Sequence, residues 1–513
     1  MITGYKLGKS ESYPKVDNDY VNSLNDFYCR FENSDNADPG LVTPSCSSEL
    51  PVVNEHEVRM EFKRVNARKA CGPDGVKPKI LKMCHNELTS IFTYIINVSL
   101  QISVIPSLWK RSEIIPVPKK DKILELNDLR PVALTSVPMK CAERIILKHI
   151  KTFFNPLQDP LQFAYRSKRS VDDAIIYFLE NVYSHLDKQR SYCRILFVDF
   201  SSAFNTIKPN IIINKLINLN LNSYLVSWIQ SFLSNRTQYV KLKNVRSTLI
   251  TTNTGAPQGC VLSPILFTMY TNDCQINNDV LKLLKFADDS SILALLRSQS
   301  DEIIYRNYIN RSTNWCEEHN LLLNVGKTKE LIIDFREKKD PLQPIKIKDT
   351  DVEQVNEYKY LGVTIDKKLQ WNTHASITYK KANKRLYFLR KLNYFRIDKK
   401  LISLFFQATI QSLITFSVIG WGGNTKATQI YKFDSLIRKA EKICRTNHLS
   451  FNDLYRLYCE RKINMINKDP SHPMYPLIKR SPRTDRVIFI LTKTERYRHS
   501  FMPSAIKLLK EGR

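Results

Sequence analysis

The amino-acid sequence predicts an α+β fold with more than one domain, and three observations support this prediction. The chain has 513 residues, which is too long for one compact core at about 100–200 residues per domain. Residues 192–296 contain short apolar runs rich in β-forming residues, whereas the flanking regions show helical periodicity. Hydrophobic residues make up 43% of the chain and charged residues 25%, as in ordinary globular proteins, which excludes wholesale disorder.

The segments support this class in chain order. Residues up to about Pro51 are polar and poorly patterned, and we expect a loosely held arm there. The run ILFVDF at 195–200 predicts a buried strand, and the runs VLKLLKF at 280–286 and SSILALL at 290–296 predict two strands joined by a tight turn. Beyond about residue 370 the pattern is helical and basic to the end. Strands interleaved with helices indicate an α+β core.

The net charge predicts a polyanionic partner. Lys and Arg number 78 against 50 Asp and Glu, and residues 371–513 carry 29 of the basic residues but 9 of the acidic ones. Nine basic residues fall within 21 positions: Lys380, Lys381, Lys384, Arg385, Arg390, Lys391, Arg396, Lys399 and Lys400. Five aromatic residues lie among them: Tyr379, Tyr387, Phe388, Tyr394 and Phe395. Their helical spacing favours the inward face of a helix over stacking on unpaired bases, and the charges predict a grip on duplex phosphates.

Cysteine usage and hydropathy predict an intracellular protein, in the nucleus or the cytoplasm. The closest pair of the eleven cysteines is thirteen residues apart, which supports neither a zinc knuckle nor a disulfide framework. The N-terminal sequence has no apolar signal segment, so we expect no secretion. Residues 401–425 carry no charge, but their polar residues and helical periodicity favour a buried helix over a membrane span. We therefore expect no membrane partner.

Three carboxylates predict a metal site. Asp199 ends a predicted buried strand, and Asp288 and Asp289 occupy the turn of a predicted hairpin. A carboxylate at the end of an apolar strand is costly unless a cation neutralises it, and adjacent carboxylates repel each other. Hard oxygen ligands suit Mg²⁺, and two such ions about 3.5–4 Å apart stabilise both oxygens of an in-line phosphoryl displacement. The alternative is an ordinary turn dipeptide and a helix cap.

The sequence GKT at 326–328 does not support a phosphate loop of the ATPase type. That motif needs glycine five positions before Gly326, where this chain has Leu321.

Several motifs together resemble a known family. FADD at 286–289 looks like a catalytic hairpin, FVDFSSAF at 197–204 like a first metal-binding motif, and GAPQGCVLSPILF at 255–267 like a segment beneath the nascent base pair. KACGPDG at 69–75, LRPVALTS at 129–136 and QFAYRSKRSVDDA at 162–174 resemble upstream elements, and NVGKTKE at 324–330 and YKYLGVTID at 358–366 resemble downstream ones. From about residue 60 to 370 the chain is similar to the reverse transcriptase of non-LTR (LINE-type) retrotransposons.

The resemblance implies roles for single residues. Asp199, Asp288 and Asp289 would bind Mg²⁺, with Mn²⁺ as a substitute. Phe204 would lie under the sugar of the incoming nucleotide and exclude a 2′-OH, unless it is an ordinary core aromatic. The remaining nucleotide-binding residues would be Lys119 (with Lys120 as its competitor), Arg130, Gln258 and Gly259. Lys327 would donate a proton to the leaving pyrophosphate. Leu361 and Gly362 would grip the primer.

The resemblance further implies a right-hand polymerase. Its parts would be a polar N-terminal arm (1–59), fingers (60–190), a palm with an antiparallel sheet (191–370), and a helical thumb with a basic tail (371–513). The expected function is RNA-directed DNA synthesis from dNTPs, with an RNA template, a DNA primer and their hybrid as partners and no protein partner. One alternative is a catalytically inactive, truncated retroelement remnant that only binds nucleic acid. The other, an RNA-templated RNA polymerase, is disfavoured by Phe204 and by Ala287 before the Asp pair.

Overall fold

The structure is a computed structural model that describes residues 16–32, 42–45, 48–276, 278–339 and 341–511. Two compact units are each assembled from segments that are distant in sequence. Unit 1 comprises Met1–Gln158, Ser201–Cys274 and Trp315–Leu322, and unit 2 comprises Asp159–Phe200, Gln275–Asn314 and Leu323–Arg513. The mixture of helices and sheets in both units confirms the predicted α+β class.

The helices of unit 1 are α1 (Asn18–Cys29), α2 (Glu55–Arg64), α3 (Pro78–Met83), α4 (His85–Gln101), α5 (Ser107–Lys110), α6 (Val137–Phe154), α8 (Pro209–Asn218), α9 (Ser223–Leu233) and α10 (Ser263–Tyr270). Its strands are β1 (Arg111–Pro118), β2 (Leu129–Thr135), β4 (Arg236–Leu242), β5 (Val245–Arg246) and β6 (Ile250–Thr252). A 3₁₀ turn spans Leu126–Asp128. Strand β1 pairs antiparallel with β2 and parallel with β4, and β4 pairs antiparallel with β5 and β6.

The N-terminal region is more ordered than the sequence suggests. Residues 18–29 form α1, which begins after Asp17, whose side chain accepts a hydrogen bond from the Tyr20 N–H. Val21 and Leu24 are buried on the unit 1 sheet against residues that include Ile114. The expectation of a loosely held arm is therefore wrong for this segment, because a few apolar residues at helical spacing suffice to dock a polar helix. Residues 1–15 and 33–41 lie outside the described residues.

The helices of unit 2 are α7 (Val171–Leu186), α11 (Gln299–Glu318, whose last turn belongs to unit 1), α12 (Asn372–Tyr394), α13 (Lys399–Phe406), α14 (Ser412–Ile414), α15 (Val418–Trp421), α16 (Ala427–Cys444), α17 (Phe451–Asn467), α18 (Glu495–Arg498) and α19 (Phe501–Glu511). A π-helical turn spans Gln407–Gln411, and 3₁₀ turns span Gly422–Asn424 and Tyr475–Leu477. Its strands are β3 (Tyr192–Val198), β7 (Leu281–Phe286), β8 (Asp289–Leu296), β9 (Lys329–Asp334), β10 (Lys346–Ile347), β11 (Thr350–Asp351), β12 (Glu353–Val355), β13 (Glu357–Tyr360) and β14 (Val363–Asp366).

The main sheet of unit 2 has the strand order β12-β9-β3-β8-β7. Strand β3 lies at its centre and pairs antiparallel with β8 and β9, which confirms the predicted buried strand. Strands β7 and β8 form the predicted hairpin. Helix α7 and the C-terminal helices share one apolar core with this sheet, so the basic end of the chain is an integral part of unit 2.

The uncharged segment lies within a helical run. Lys399–Asn424 is long and apolar enough to cross a membrane by length and composition, which is weak evidence because core helices pass the same test. Ile402, Phe406, Ile410 and Ile414 are buried in the core of unit 2. The buried helix face that the sequence predicts is thus present.

The aromatic residues of α12 do not face inward. Tyr387, Phe388, Tyr394 and Phe395 are 55%, 56%, 76% and 66% exposed. Leu386 and Leu389 occupy the core face of the helix instead, at 1% and 0% exposure. The prediction of an inward aromatic face is therefore wrong. The leucines next to these rings in sequence occupy the apolar core, and this orientation of the helix leaves the rings exposed. Tyr379 is half-buried and packs at the core.

Candidate active site

Three carboxylates lie together at one end of the central strands of the unit 2 sheet. Asp199 follows β3 directly, and Asp289 is the first residue of the neighbouring strand β8. Val198 pairs with Ser290, so the next position along the antiparallel ladder places Asp199 beside Asp289. Asp288 lies in the two-residue turn before β8, since Phe286 pairs with Asp289. Register alone therefore gathers the carboxylates that the sequence predicts to act together.

The backbone of Asp199 is held on both sides by the segment that resembles a downstream family motif. Its N–H donates to the Thr328 Oγ1 at 3.3 Å, and its carbonyl oxygen accepts from the Asn324 N–H at 2.9 Å. Thr328 is fully buried. The sequence analysis missed Asn324 and Thr328, although both lie within the NVGKTKE motif beside Lys327. These two residues hold the backbone of Asp199 in place at the end of strand β3.

The three carboxylates are in electrostatic conflict. Burial raises the pKa of Asp199, the positive charge of Lys327 lowers it, and the charge of Asp288 raises it again. The pKa of Asp289 rises to about 6, because the surrounding protein desolvates the carboxylate and both Asp288 and Asp199 repel its charge. The Lys327 Nζ lies 3.9 Å from the Asp199 Oδ2 on a lysine side chain that is 67% exposed. One mobile lysine leaves most of this negative charge uncompensated.

The donor set fits a hard divalent cation. Carboxylate oxygens are ligands that Mg²⁺ uses, and a cation beside Asp199 and Asp289 would favour their ionised forms against the burial and repulsion that raise their pKa values. Among the described residues, no three His, Cys, Asp or Glu side chains converge closely enough to hold a metal alone. A divalent cation at this position would therefore need ligands besides the carboxylates, and Mg²⁺ usually takes substrate phosphates as such ligands.

A buried glutamine braces the turn that carries Asp288. The Gln162 Oε1 accepts from the backbone N–H of Ala287 at 3.1 Å and from that of Ala164 at 3.0 Å. Ala287 has φ +59°, a conformation that alanine rarely adopts and that hairpin turns of this length require. Gln162 is 1% exposed. Beside it, the Lys285 Nζ forms a buried ion pair with the Asp159 Oδ2 at 2.7 Å.

The predicted primer-gripping residues form a hairpin turn. Tyr360 pairs with Val363, so Leu361 and Gly362 are the two turn residues, with φ +45° and +93°. A side chain at Gly362 would approach the ring of Phe416 to 2.9 Å. Contact of this turn with a primer stays a prediction.

Three predicted nucleotide-binding residues lie close together within unit 1. Phe204 is half-buried and packs on Phe267, with ring centroids 4.9 Å apart. The Gln258 Nε2 lies 3.4 Å from the Oδ1 of Asn205, the residue after Phe204. Gly259 has φ +123°, and a Cβ there would approach the Ala133 carbonyl oxygen to 2.6 Å. The close approach that requires glycine is therefore to strand β2 of the protein itself.

The predicted phosphate-binding cations lie on or next to the β1–β2 hairpin of unit 1. Arg130 is an exposed residue of β2. The Lys119 Nζ donates to the Asn127 carbonyl oxygen at 2.6 Å. Lys120, the competing lysine, forms an ion pair with Asp128 at 2.7 Å, which raises the pKa of Lys120 through the hydrogen bond and charge of that carboxylate.

Comparison with known families decides the class of this site. Residues 117–365 match the family described as "Reverse transcriptase (RNA-dependent DNA polymerase)". The chain therefore contains a reverse transcriptase domain over these residues. This match confirms the predicted right-hand polymerase fold, while the predicted limits of arm, fingers, palm and thumb stay predictions. Residues 371–412, beyond the reverse transcriptase match, match a second family, "Alkylated DNA repair protein alkB homolog 8, N-terminal".

Curated relatives of the reverse transcriptase domain come from mobile elements. The chain is 27% identical over 366 residues to "Probable RNA-directed DNA polymerase from transposon BS" of Drosophila melanogaster, which covers 69% of this chain and 40% of that protein. It is 23% identical over 345 residues to "RNA-directed DNA polymerase from mobile element jockey" of the same fly, covering 64% of this chain and 37% of the relative. The chain therefore covers less than half of the length of either relative.

Solved structures similar to the chain include telomerases. One is apo telomerase from Candida Tropicalis, truncated from its C-terminal domain, at 13% identity and a TM-score of 0.37, covering 58% of this chain and 61% of that one. Another is the Candida Tropicalis telomerase in complex with a fragment of telomeric RNA, at 12% identity and a TM-score of 0.38, covering 74% and 66%.

The predicted site residues of the reverse transcriptase domain divide between the units. Unit 2 holds Asp199, Asp288, Asp289, Lys327, Leu361 and Gly362, and unit 1 holds Lys119, Arg130, Phe204, Gln258 and Gly259. Within unit 2 the structure brings the carboxylates and Lys327 together, as the sequence predicts. The residues that support them, Gln162 among them, were quoted only as parts of motifs. The sequence offers one weak signal for this role, a glutamine among aromatic residues. It does not reveal the hydrogen bond to Ala287, because that residue is 125 positions away.

Proposed function

We propose that the chain is an RNA-directed DNA polymerase of a LINE-type retroelement that adds dNTPs to a primer 3′-OH. The observation that carries this proposal is the set of three mutually repelling carboxylates at the edge of the unit 2 sheet, inside the segment that matches the reverse transcriptase family. Carboxylates held in this way are suited to metal-assisted nucleotidyl transfer and to few purely structural roles.

Asp199, Asp288 and Asp289 would hold the catalytic cations. Bound Mg²⁺, or Mn²⁺ as its substitute, would lower the cost of forming the 3′-alkoxide and stabilise charge on the α-phosphate. The protein supplies carboxylates whose backbones are fixed by the ladder between β3 and β8 and by Asn324 and Thr328. Pre-set ligands of this kind lose little freedom when the substrate arrives.

Lys327 is the proposed proton donor to the leaving pyrophosphate. Its ammonium group lies 3.9 Å from the Asp199 carboxylate and remains 67% exposed, so it can reach a phosphate placed beside the same carboxylate. A lysine ammonium group within reach of that phosphate could act as a general acid toward the leaving pyrophosphate.

Phe204 is the proposed gate against ribonucleotides. Its ring packs on Phe267, and its backbone carbonyl oxygen accepts the Ala256 N–H at 2.8 Å, so both the ring and the backbone of Phe204 are held. A supported ring cannot yield to a 2′-OH as a mobile side chain could. We further propose that Arg130 and Lys119 bind the triphosphate, that Gln258 and Gly259 act next to the template, and that Leu361 and Gly362 contact the primer.

The proposed partners are an RNA template, a DNA primer and their hybrid, in the nucleus or the cytoplasm. The ten described cysteines are unpaired, and six of them are buried, which suits a reducing compartment. Microscopy of the tagged chain tests the location, and a secreted product would contradict it.

The test is primer extension on an RNA template with dNTPs and Mg²⁺, comparing the wild type with Asp288→Ala. A second series replaces dNTPs with rNTPs and tests Phe204→Val. We expect extension by the wild type, no extension by Asp288→Ala, and use of rNTPs only by Phe204→Val. Incorporation of rNTPs by the wild type would contradict the gate and favour an RNA polymerase.

The alternative is an inactive remnant that only binds nucleic acid. The sequence SPRTDR at 481–486 departs from the more basic tail of the resembling family. A folded wild type that binds a primer–template but extends no primer with Mg²⁺ or Mn²⁺ would overturn the polymerase proposal and establish the remnant.

A further inference from the structure

A stripe of exposed rings runs along the outward face of α12. We call Tyr387, Phe388, Tyr394 and Phe395 the aromatic stripe; all four are more than half exposed. They form two edge-to-face pairs, Tyr387 with Phe388 at 5.5 Å and Tyr394 with Phe395 at 5.4 Å between centroids. The pairs are seven residues apart, about 10 Å along the helix and on one face of it. Apolar rings exposed in such a row indicate a binding surface.

The stripe is surrounded by positive charge. Lys391 lies between the two pairs, with its Nζ 5.8 Å from the ring centroids of both Tyr387 and Tyr394. Six further cations of the same segment are exposed: Lys380, Lys381, Lys384, Arg390, Arg396 and Lys400. In the part of the chain that the structure describes, none of these seven pairs with a carboxylate within 4 Å. The charge is therefore available to an anionic partner.

We propose that this face of α12 binds an unpaired nucleic-acid strand. Its phosphates would neutralise the surrounding lysines and arginines, and its bases would stack on the aromatic stripe. Two ring pairs about 10 Å apart can take two different bases of one strand. The proposal adds a second nucleic-acid surface to the proposed polymerase, one that does not require the carboxylate site.

The geometry favours a single strand over a duplex. In a duplex the faces of the bases are covered by stacking, and proteins reach only base edges and the backbone. An aromatic ring that is more than half exposed interacts weakly with phosphates, but it can stack on the face of an unpaired base. Base–aromatic stacking is worth about 1–3 kcal/mol per base and tolerates any sequence.

The geometry also favours nucleic acid over an anionic membrane. A helix that lies in a membrane interface needs a continuous apolar face. The stripe instead has Lys391 at its centre, where insertion would carry the ammonium group towards the acyl chains.

Fluorescence anisotropy with the full chain in EDTA and without nucleotides tests the proposal. The probes are a single-stranded oligonucleotide of about 20 nucleotides, an abasic strand of the same length, and a blunt duplex. The variants are Tyr387→Ala with Tyr394→Ala, the same pair changed to Leu, and Tyr431→Ala. Tyr431 is a matched control, because it is 68% exposed and also lies beside an arginine, Arg438, on another helix of unit 2.

We expect the double alanine variant to weaken binding of the base-bearing strand by about 10–100-fold. The leucine pair should lose about as much, because it keeps apolar area but not the ring faces. Binding of the abasic strand and the duplex should not change, and Tyr431→Ala should resemble the wild type. All changed residues are exposed, and an unchanged thermal midpoint confirms that the variants fold.

Equal losses on the base-bearing and abasic strands would overturn the proposal, since stacking would then contribute nothing. Loss of binding to phosphatidylserine vesicles without loss on the oligonucleotide would establish a membrane surface instead. Binding is measured without nucleotide addition, so its failure leaves the polymerase proposal standing, and failure of primer extension does not affect this result.

Discussion

The two ends of strand β3 treat charge in opposite ways. At one end Arg194 is fully buried and donates two hydrogen bonds to Glu330, at 2.8 and 2.9 Å, and one to Glu302 at 2.9 Å. At the other end, five residues on, Asp199 lies with Asp288 and Asp289 and has a lysine at 3.9 Å. Both ends lie in one sheet with one apolar core.

This difference separates charges that stabilise the fold from charges that are kept for a ligand. The Arg194 cluster is neutralised within the protein, and it joins β3 to β9 across the sheet. The three aspartates are a net negative group. The pKa values of Asp199 and Asp289 are raised, so their charges destabilise the folded chain in the absence of a cation. A site of this kind should lose function, but not stability, when a charge is removed.

The largest expected effect follows at the aspartate end. Asp288→Asn should lower nucleotide addition by at least about 10³-fold, because it removes a proposed metal ligand, and metal ligation of this kind is worth several kcal/mol in the transition state. The thermal midpoint should stay the same or rise, since one of three repelling charges is gone. Asp349→Asn, at an exposed turn of unit 2 with φ +60°, is the control and should change neither quantity. A retained rate together with a lower midpoint would assign the aspartates to structure.

The opposite result is expected at the arginine end. Glu330→Gln removes one of the two carboxylates that neutralise the buried Arg194, and should lower the free energy of unfolding by about 3–5 kcal/mol. Glu353→Gln is the matched control, because Glu353 is 67% exposed and pairs with Lys329, the neighbour of Glu330, at 2.6 Å. It should cost about 0–1 kcal/mol. Urea unfolding followed by tryptophan fluorescence measures both, and equal losses would remove the distinction.

The sequence predicts one end of β3 better than the other. The apolar run and the aspartate after it show both the strand and its chemistry, because apolar runs and turn carboxylates are local signals. Arg194 lies in the same strand, and nothing near it explains a buried charge, since its partner Glu330 is 136 positions away. Local patterns find the carboxylates of the site but not the residues that brace them.

Helix α12 shows the limit of periodicity. Its aromatic and aliphatic residues both recur at helical spacing, one position apart, and only the packed core decides which set faces inward. For α1 the sequence predicts too little order instead. Val21 and Leu24 bury enough apolar area to dock a helix that is polar elsewhere. The sequence draws attention to Leu361 and Gly362 only through the family resemblance, and their positive φ values are those that a two-residue hairpin loop requires.

The carboxylate of Asp173 lies at neither end of β3, and its contribution to stability should depend on pH. Burial alone would raise the pKa of Asp173, but His472 and Lys462 outweigh it and lower the pKa to about 2. Its folded pKa lies below its ordinary value of 3.8, so its contribution to stability is present above about pH 4 and is lost as pH falls towards 2. That contribution is about 2 kcal/mol. The stability difference between the wild type and Asp173→Asn should shrink by this amount between pH 7 and pH values near 2, as measured by urea unfolding. A difference that does not depend on pH would show that Asp173 acts only through packing.

The smallest expected effect tests whether the site depends on its supports. Gln162→Leu leaves the Ala287 N–H without its acceptor, which costs about 1–3 kcal/mol, and frees the turn that carries Asp288. The rate of nucleotide addition should fall about tenfold, and half-maximal rate should need more Mg²⁺, because the carboxylate is less well placed for the cation. A shift in Mg²⁺ dependence separates positioning from a general loss of stability, which would lower the amount of active enzyme without changing that dependence.

Gln158→Leu is the matched control for this variant. Gln158 is 3% exposed, and neither atom of its side-chain amide has a hydrogen-bond partner among the described residues. Its replacement removes no hydrogen bond and should leave both the rate and the Mg²⁺ dependence unchanged. If Gln158→Leu and Gln162→Leu changed the Mg²⁺ dependence alike, the effect would come from losing a buried amide anywhere nearby. A shift confined to Gln162→Leu would show that the carboxylates of Asp288 and Asp289 owe their arrangement to a hydrogen bond on the neighbouring peptide.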